Sequence, residues 1–307
     1  MGFDVSNLTD FTEKATEILR QEALFTDEVA RYSLETGIQH EKYLNYVEAG
    51  ATVQAGGCGL TADGSAKFTE RKIKVVPLAF RQKFCEEDLR KKGFVFKGGT
   101  NTGKLPVGVE EALTIEETQS VAEQLAYFRW VGDTAGGDLV DGWVTIASAD
   151  ADVIAVAIDV LDSNNIDNMV AKMIDAITPE MYARFKKTKE KFTLHIPMSD
   201  YKLYKRNRLD ANLFREQNTK YGTFEMDIFG EEDIATIKAE TELTGSNKWV
   251  LTMDSNLTIG TDEVGELSAA KFIYNEETDY ILYKADMKYG AQYKYSKELI
   301  LGTVATS

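Results

Sequence analysis

Residues 114–143 read TIEETQSVAEQLAYFRWVGDTAGGDLVDGW, and the reading of this stretch decides the fold class. Thr114 and Glu117 stand at the spacing of a capping box, and Val121, Leu125 and Phe128 then line one face, which predicts an amphipathic helix over 114–130. Gly132, Asp133, Gly136, Gly137, Asp141 and Gly142 follow, a density of turn formers that makes a connector and closes the first half of the chain.

Beyond the connector, Ile166, Met169, Val170, Met173, Ile174 and Ile177 follow helical spacing, stopped by Thr178 before Pro179. Pro179 suits the first turn of another helix, through about Lys187. In KFTLHIP (191–197), Phe192, Leu194 and Ile196 alternate with Thr193 and His195, which predicts a strand with His195 pointing outward. Ser199 is placed to cap a short basic helix in DYKLYKRNRL (200–209). In YGTFEMDIFG (221–230), Phe224, Met226 and Ile228 read as inward, with Glu225 and Asp227 outward. From Ile234 onward short strands and turns are expected.

Upstream, the glycine-rich GATVQAGGCGLTADG (50–64) leads into KFTERKIKVVPLAFRQKF (67–84), rich in β-branched and aromatic residues. A long two-stranded excursion with a flexible tip describes it, Pro77 marking an edge strand or a bend. At the start, Asp10 and Glu13 have capping-box spacing, and Phe11, Ala15, Ile18 and Leu19 fall on one helical face. The class is α+β, with no βαβ repeat and no internal repeat.

Of the 307 residues 43% are hydrophobic and 28% charged, the balance of a soluble globular protein. No stretch approaches the roughly 18 uninterrupted apolar residues of a membrane span, and MGFDVSNLTDFTEK has neither the basic nor the apolar region of a secretion signal. Cys58 and Cys85 are too few for a disulfide framework and lack C-x-x-C spacing, which suits a reducing cytoplasm. The net charge of −15 argues against sequence-independent nucleic-acid binding. That charge comes in blocks: −7 over residues 1–70, +7 over 71–104, −13 over 105–180, +7 over 181–222 and −9 over 223–307. Such blocks neutralise one another within the monomer, or lie as solvated faces, or meet across subunit boundaries where complementary potential fixes register.

Candidate chemistry is sparse. GGTNTGK (98–104) follows Phe94, Val95 and Phe96 with the spacing of a phosphate-binding loop, and Ile154 to Ile158 is an apolar run ending in Asp159, as a magnesium-holding strand would be. Leu105 stands where that motif needs a hydroxyl for magnesium, and Pro106 follows where the helix should start, so a surface loop is the simpler reading. The two histidines, His40 and His195, have no neighbouring ligand at metal spacing. Cys58 has nothing basic beside it. Asp150, Asp152 and the run from Asp162 read as turns and caps rather than a calcium loop, and Tyr280, Tyr283, Tyr289, Tyr293 and Tyr295 as strand residues. No catalytic residue, cofactor or metal is expected.

The order of elements, an N-terminal helical arm, a long two-stranded loop, an amphipathic helix, a Gly/Asp turn, a compact α+β insertion and a strand-rich return, resembles the major capsid proteins of tailed phages with the Hong Kong 97 fold. The resemblance implies an arm over 1–45, an extended β-hairpin loop over 46–84, a peripheral domain over 85–150 and 266–307 with its spine helix at 114–130, and an inserted axial domain over 151–265. It implies a structural subunit, not an enzyme, that assembles into hexamers and pentamers of an icosahedral head around double-stranded DNA. Portal and head-decoration proteins are the implied partners, with no membrane, and assembly is expected in the host bacterial cytoplasm. The candidate inter-subunit contacts are Arg71, Lys72, Lys74, Arg81 and Lys83, the helix acids Glu116, Glu117 and Glu123, and Lys205, Arg206 and Arg208. A glycine-tipped hairpin and an amphipathic arm cannot bury their apolar faces within one compact monomer, which favours an obligate assembly. The alternatives are a P-loop-type nucleotidase and a tail-tube or sheath subunit.

Overall fold

The computed structural model describes residues 31–50, 65–85, 107–210, 224–228, 230–262, 271–275 and 280–306. In chain order, β1 (Ser33–Glu35) leads to β2 (Glu41–Gly50), β3 (Ser65–Lys74) and β4 (Val76–Cys85). Helices α1 (Val107–Trp130) and α2 (Trp143–Ala149) come next, then β5 (Ile154–Ile158), α3 (Ile166–Asp175), α4 (Pro179–Thr188), β6 (Phe192–Pro197) and α5 (Met198–Asp210). The rest is mainly strand: β7 (Glu225–Asp227), β8 (Ala235–Glu240), β9 (Lys248–Met253), β10 (Leu257–Gly260), β11 (Lys271–Asn275), β12 (Tyr280–Tyr293) and β13 (Ile300–Val304).

These strands make a mixed six-stranded sheet in the order β5-β13-β9-β6-β8-β7. Its central strand β6 runs parallel to β8 and antiparallel to β9, and all six of its residues are buried. Phe192, Leu194 and Ile196 point to a core shared with Ile166, Val170 and Met173 of α3, so that helix buries its apolar stripe on the sheet. Thr178 caps α4, its hydroxyl accepting from the Met181 N–H at 3.3 Å.

The second sheet is organised by β12. Its C-terminal part pairs with β10, which carries β1 in parallel, and its N-terminal part lies between β11 and β4. Val121, Leu125 and Trp130 of α1 pack in one core with Trp143 of α2 and with Tyr283, Tyr289 and Tyr293 of β12. Trp143 is fully enclosed: its ring meets Tyr32 and Trp130 edge-on, each at 4.9 Å between centroids, and its Nε1 donates to the Gln292 carbonyl at 3.0 Å.

Among the described residues β2 and β3 pair only with each other, in register from Glu41 opposite Lys74 to Gly50 opposite Ser65. The chain turns from β3 into β4 across β12 at Gly290, where a Cβ would stand 2.1 Å from the Lys74 carbonyl oxygen. Only glycine allows that approach.

The structure departs from the sequence reading in several places. The amphipathic helix begins at Val107, so Thr114 and Glu117 lie inside it rather than at its cap. The α2 helix was not expected. Ser199 lies within α5, where its hydroxyl bonds Asp200 at 2.9 Å instead of capping. Phe224 is exposed and takes φ +46°, whereas Met226 and Ile228 are buried as the alternation predicts. Sheet membership also divides the chain differently: the hairpin ladder runs over 41–74 and Val76–Cys85 leaves it for β12, while Leu257–Gly260 joins the β12 sheet and Ile300–Val304 the six-stranded one. Pairing partners far apart in sequence carry no local signature.

Candidate functional site

The hairpin meets the body of the fold at Arg71, near the inner end of β3. Its guanidinium lies 4.0 Å from the centre of the Tyr293 ring, donates to Ser296 Oγ at 2.6 Å and pairs with the Asp150 carboxylate just beyond α2. Tyr293 donates its hydroxyl to the same carboxylate at 2.7 Å. Burial opposes the charge of Asp150, and the hydrogen bonds from Arg71 and Tyr293 outweigh it, so the carboxyl titrates far below the usual range. This is a clamp: three segments converge on one carboxylate and fix the direction in which the hairpin leaves.

The remaining predicted contacts fall into two sets. Some are engaged within the chain: Lys72 pairs with Glu41 across the hairpin, Arg81 bonds Asp286 Oδ1 at 2.5 Å across β4 and β12, and Arg208 is buried 3.2 Å from Asp167, joining α5 to α3. Glu117 is half-buried near Tyr283, whose hydroxyl pKa is raised by burial and then by that charge. Lys74, Lys83, Glu123 and Arg206 are exposed and Lys205 is half-exposed. The side chain of Glu116 lies outside the described residues, although α1 spans it. No charge of α1 is brought against the basic residues of α5 by any described ion pair; Arg71 is instead joined to Asp150 of the acidic block. Arg71, Lys72, Arg81 and Arg208 thus each have an acidic partner from another charge block within the chain.

His195 differs most from expectation. The alternation is right, but the outward face of β6 meets the other layer of the fold rather than solvent. His195 is completely buried, its Nδ1 2.9 Å from Glu240 Oε1 and its Nε2 3.1 Å from Asp254 Oδ1, with its ring 4.7 Å from Trp130. Lys238, also buried, pairs with the same Glu240 oxygen at 2.8 Å. The signal existed in the sequence: Thr236, Lys238 and Glu240 alternate with Ala235, Ile237 and Ala239, so a second strand offers polar residues to one face.

The other candidates resolve simply. Residues 98–104 and Cys58 lie outside the described residues. Asp162 accepts from the N–H groups of Asn164 and Asn165, each at 2.7 Å, and Asp150 from that of Asp152 at 3.0 Å, which are the turns expected. Tyr283, Tyr289 and Tyr293 are core residues. Among the described residues no group of three His, Cys, Asp or Glu is placed to hold a metal ion, and no helix is long and apolar enough to cross a membrane.

No family model matches the chain, and no curated protein matches it by sequence. Solved structures do. A chain of the satellite phage P4 procapsid, 11% identical, superposes with a TM-score of 0.58 over 96% of this chain and 91% of its own. The virus-like particle from Pyrococcus furiosus, 8% identical, gives 0.55 over 97% and 99%, and the capsid of the myovirus phage XM1, 10% identical, gives 0.56 over 91% and 92%. Carried over nearly the full length of each, the likeness shows that this chain has the α+β Hong Kong 97 fold of capsid subunits.

Proposed function

We propose that the chain is a structural subunit that assembles with copies of itself into hexamers and pentamers of an icosahedral phage head around double-stranded DNA. The observation that carries this reading is the match to capsid chains over nearly the whole of both partners, which leaves little length on either side for a different architecture. A second observation supports it. Among the described residues the β2–β3 ladder pairs with no other strand, and a lone two-stranded hairpin is marginal in water, so contacts from neighbouring copies would stabilise it.

In this reading the hairpin is the extended loop, the β12 sheet with α1 forms the peripheral domain, and the six-stranded sheet with α3, α4 and α5 forms the axial domain. Lys74, Lys83, Glu116, Glu123, Lys205 and Arg206 are the inter-subunit contacts, Arg71 and Arg208 being engaged inside the subunit. The role is non-enzymatic. The net charge of −15 keeps the inner surface from binding the packaged DNA tightly. Portal and head-decoration proteins are the partners, the virion is the destination, and assembly takes place in the host bacterial cytoplasm.

The test is negative-stain electron microscopy of the purified chain after size-exclusion chromatography over a range of salt concentrations, because charge-steered assembly responds to screening. Closed shells, hexamers or pentamers are expected. Rods would favour a tail-tube or sheath subunit, and a monomer at every salt concentration would defeat the reading.

A further inference from the structure

We propose that His195 is a charged pin between the two layers of the fold, and that loss of its proton releases the seam, giving the subunit a pH-gated joint. This goes beyond the shell reading and does not depend on it. The geometry is specific. A neutral imidazole has one donor and one acceptor, yet each ring nitrogen of His195 faces a carboxylate oxygen, at 2.9 Å on Glu240 and 3.1 Å on Asp254. Only the doubly protonated ring donates to both. Removing either proton leaves a lone pair against a carboxylate, with the ring wholly enclosed.

The two acceptors belong to different parts of the joint. Glu240 ends β8 in the six-stranded sheet, whereas Asp254 opens the short turn Asp254–Asn256 by which the chain crosses from β9 in that sheet to β10 in the other. His195 therefore holds the crossover against the sheet, with the end of α1 resting on its ring through Trp130. The charged and titratable groups around it are few. From β8 come Lys238 and Glu240, and from the chain before β1 come Tyr32, its hydroxyl 3.5 Å from Glu240, and Arg31, 4.0 Å from Asp254 and 2.5 Å from Glu225 of β7. From α1 comes Arg129, 5.3 Å from the centre of the Tyr32 ring.

Burial opposes the charge of His195, and its hydrogen bonds to Asp254 and Glu240 outweigh it, so its pKa is raised above the ordinary 6.5. Burial likewise opposes the charge of Glu240, and the bond from His195 and the nearby Lys238 cation bring it down to about 2. A folded-state histidine pKa above the unfolded one gives stability that is complete below about pH 6.5 and lost as pH rises through the folded value. The seam is therefore closed below about pH 6.5 and opens as pH rises through the folded-state value.

Hydrogen exchange on the full chain, read by mass spectrometry from about pH 6 to about pH 10 and corrected for the intrinsic rate, tests this. Exchange at the imidazole C2 position in the same samples gives the midpoint of His195 directly. Amide protection over 192–197 and 254–260 is expected to fall about tenfold at that midpoint, while 166–188 stays unchanged. Asp254→Asn should move the step to lower pH, and His195→Gln should abolish it. Protection that is flat across the His195 midpoint, a midpoint at or below about 6.5, or an unchanged step in either folded variant would overturn the proposal.

Discussion

The guanidinium of Arg71 lies 4.0 Å over the ring of Tyr293, and both side chains bind the carboxylate of Asp150. Arg71 comes from the hairpin, Tyr293 from the end of the longest strand and Asp150 from the end of α2, so one partly buried cluster sets the angle between the hairpin and the rest of the subunit.

Replacing Arg71 with Ala removes the stacked cation and leaves Asp150 charged without its main partner. The expected loss is about 2 kcal/mol in chemical denaturation. The hairpin strands should lose hydrogen-exchange protection before the core does, and simultaneous loss across the whole chain would contradict the clamp.

The same cluster shapes the acid limb of stability. Asp150 has a depressed folded-state pKa, so its contribution is complete above about pH 3.9 and is lost as pH falls toward the folded value. Asp150→Asn should lower stability at neutral pH and flatten the decline between about pH 4 and pH 2, measured as melting temperature against pH. A decline as steep as the wild type would place the acid-sensitive group elsewhere.

Two glycines separate contact from conformation. Gly290→Ala drives a methyl group into the Lys74 carbonyl and should cost about 3 kcal/mol, with the turn into β4 forced to move. Gly137→Ala meets nothing within 4 Å but must hold φ at +107°, and about 1 kcal/mol is expected. Thermal melts of both variants give the order, and the reverse order would contradict the close crossing.

Trp143 combines shape with a hydrogen bond. Trp143→Phe keeps most of the ring but removes the indole hydrogen bond to the Gln292 carbonyl, for about 1 kcal/mol. Trp143→Ala also opens a cavity against Tyr32 and Trp130, for about 4 kcal/mol. A phenylalanine variant as damaged as the alanine one would show that the hydrogen bond dominates.

Neighbouring arginines on α5 should part company. Arg206 is exposed and Arg208 is buried against Asp167. Arg206→Glu is expected to leave the melting temperature of the subunit unchanged while shifting assembly to different salt, whereas Arg208→Ala should cost about 2 kcal/mol and expose α5 to proteolysis. Electron microscopy and denaturation on the same samples give both readouts.

What could be read from sequence follows from which interactions are local. The 3.6-residue spacing from Ile166 to Ile174 and the alternation through Phe192, Leu194 and Ile196 each describe one element against its own core, and both are correct in the structure. Pro77 marks an edge or a bend, and β4 pairs with β12 alone among the described residues. The failures concern what a second layer does to a face. His195 and Thr193 alternate outward from one core, but the other layer covers them, and alternation cannot tell a seam from a solvated surface. Arg71 reads as one more cation in a basic block because Asp150 and Tyr293, which engage it, arrive from distant segments. Glu123 of α1 and Arg206 of α5 are exposed, and neither has a partner among the described ion pairs.

The placement of β13 bears on how the protein is made. It lies between β5 and β9, and among the described residues β5 has no other partner strand in the sheet. During translation the apolar strand Ile154–Ile158 must therefore wait, unpaired, until residues 300–304 have left the ribosome. A subunit interrupted anywhere in that interval exposes a bare strand edge, the feature most prone to sticking to other chains and to being held by chaperones. Among the described strands β13 alone joins β5 to the rest of the six-stranded sheet, so that sheet closes only once residues 300–304 are available.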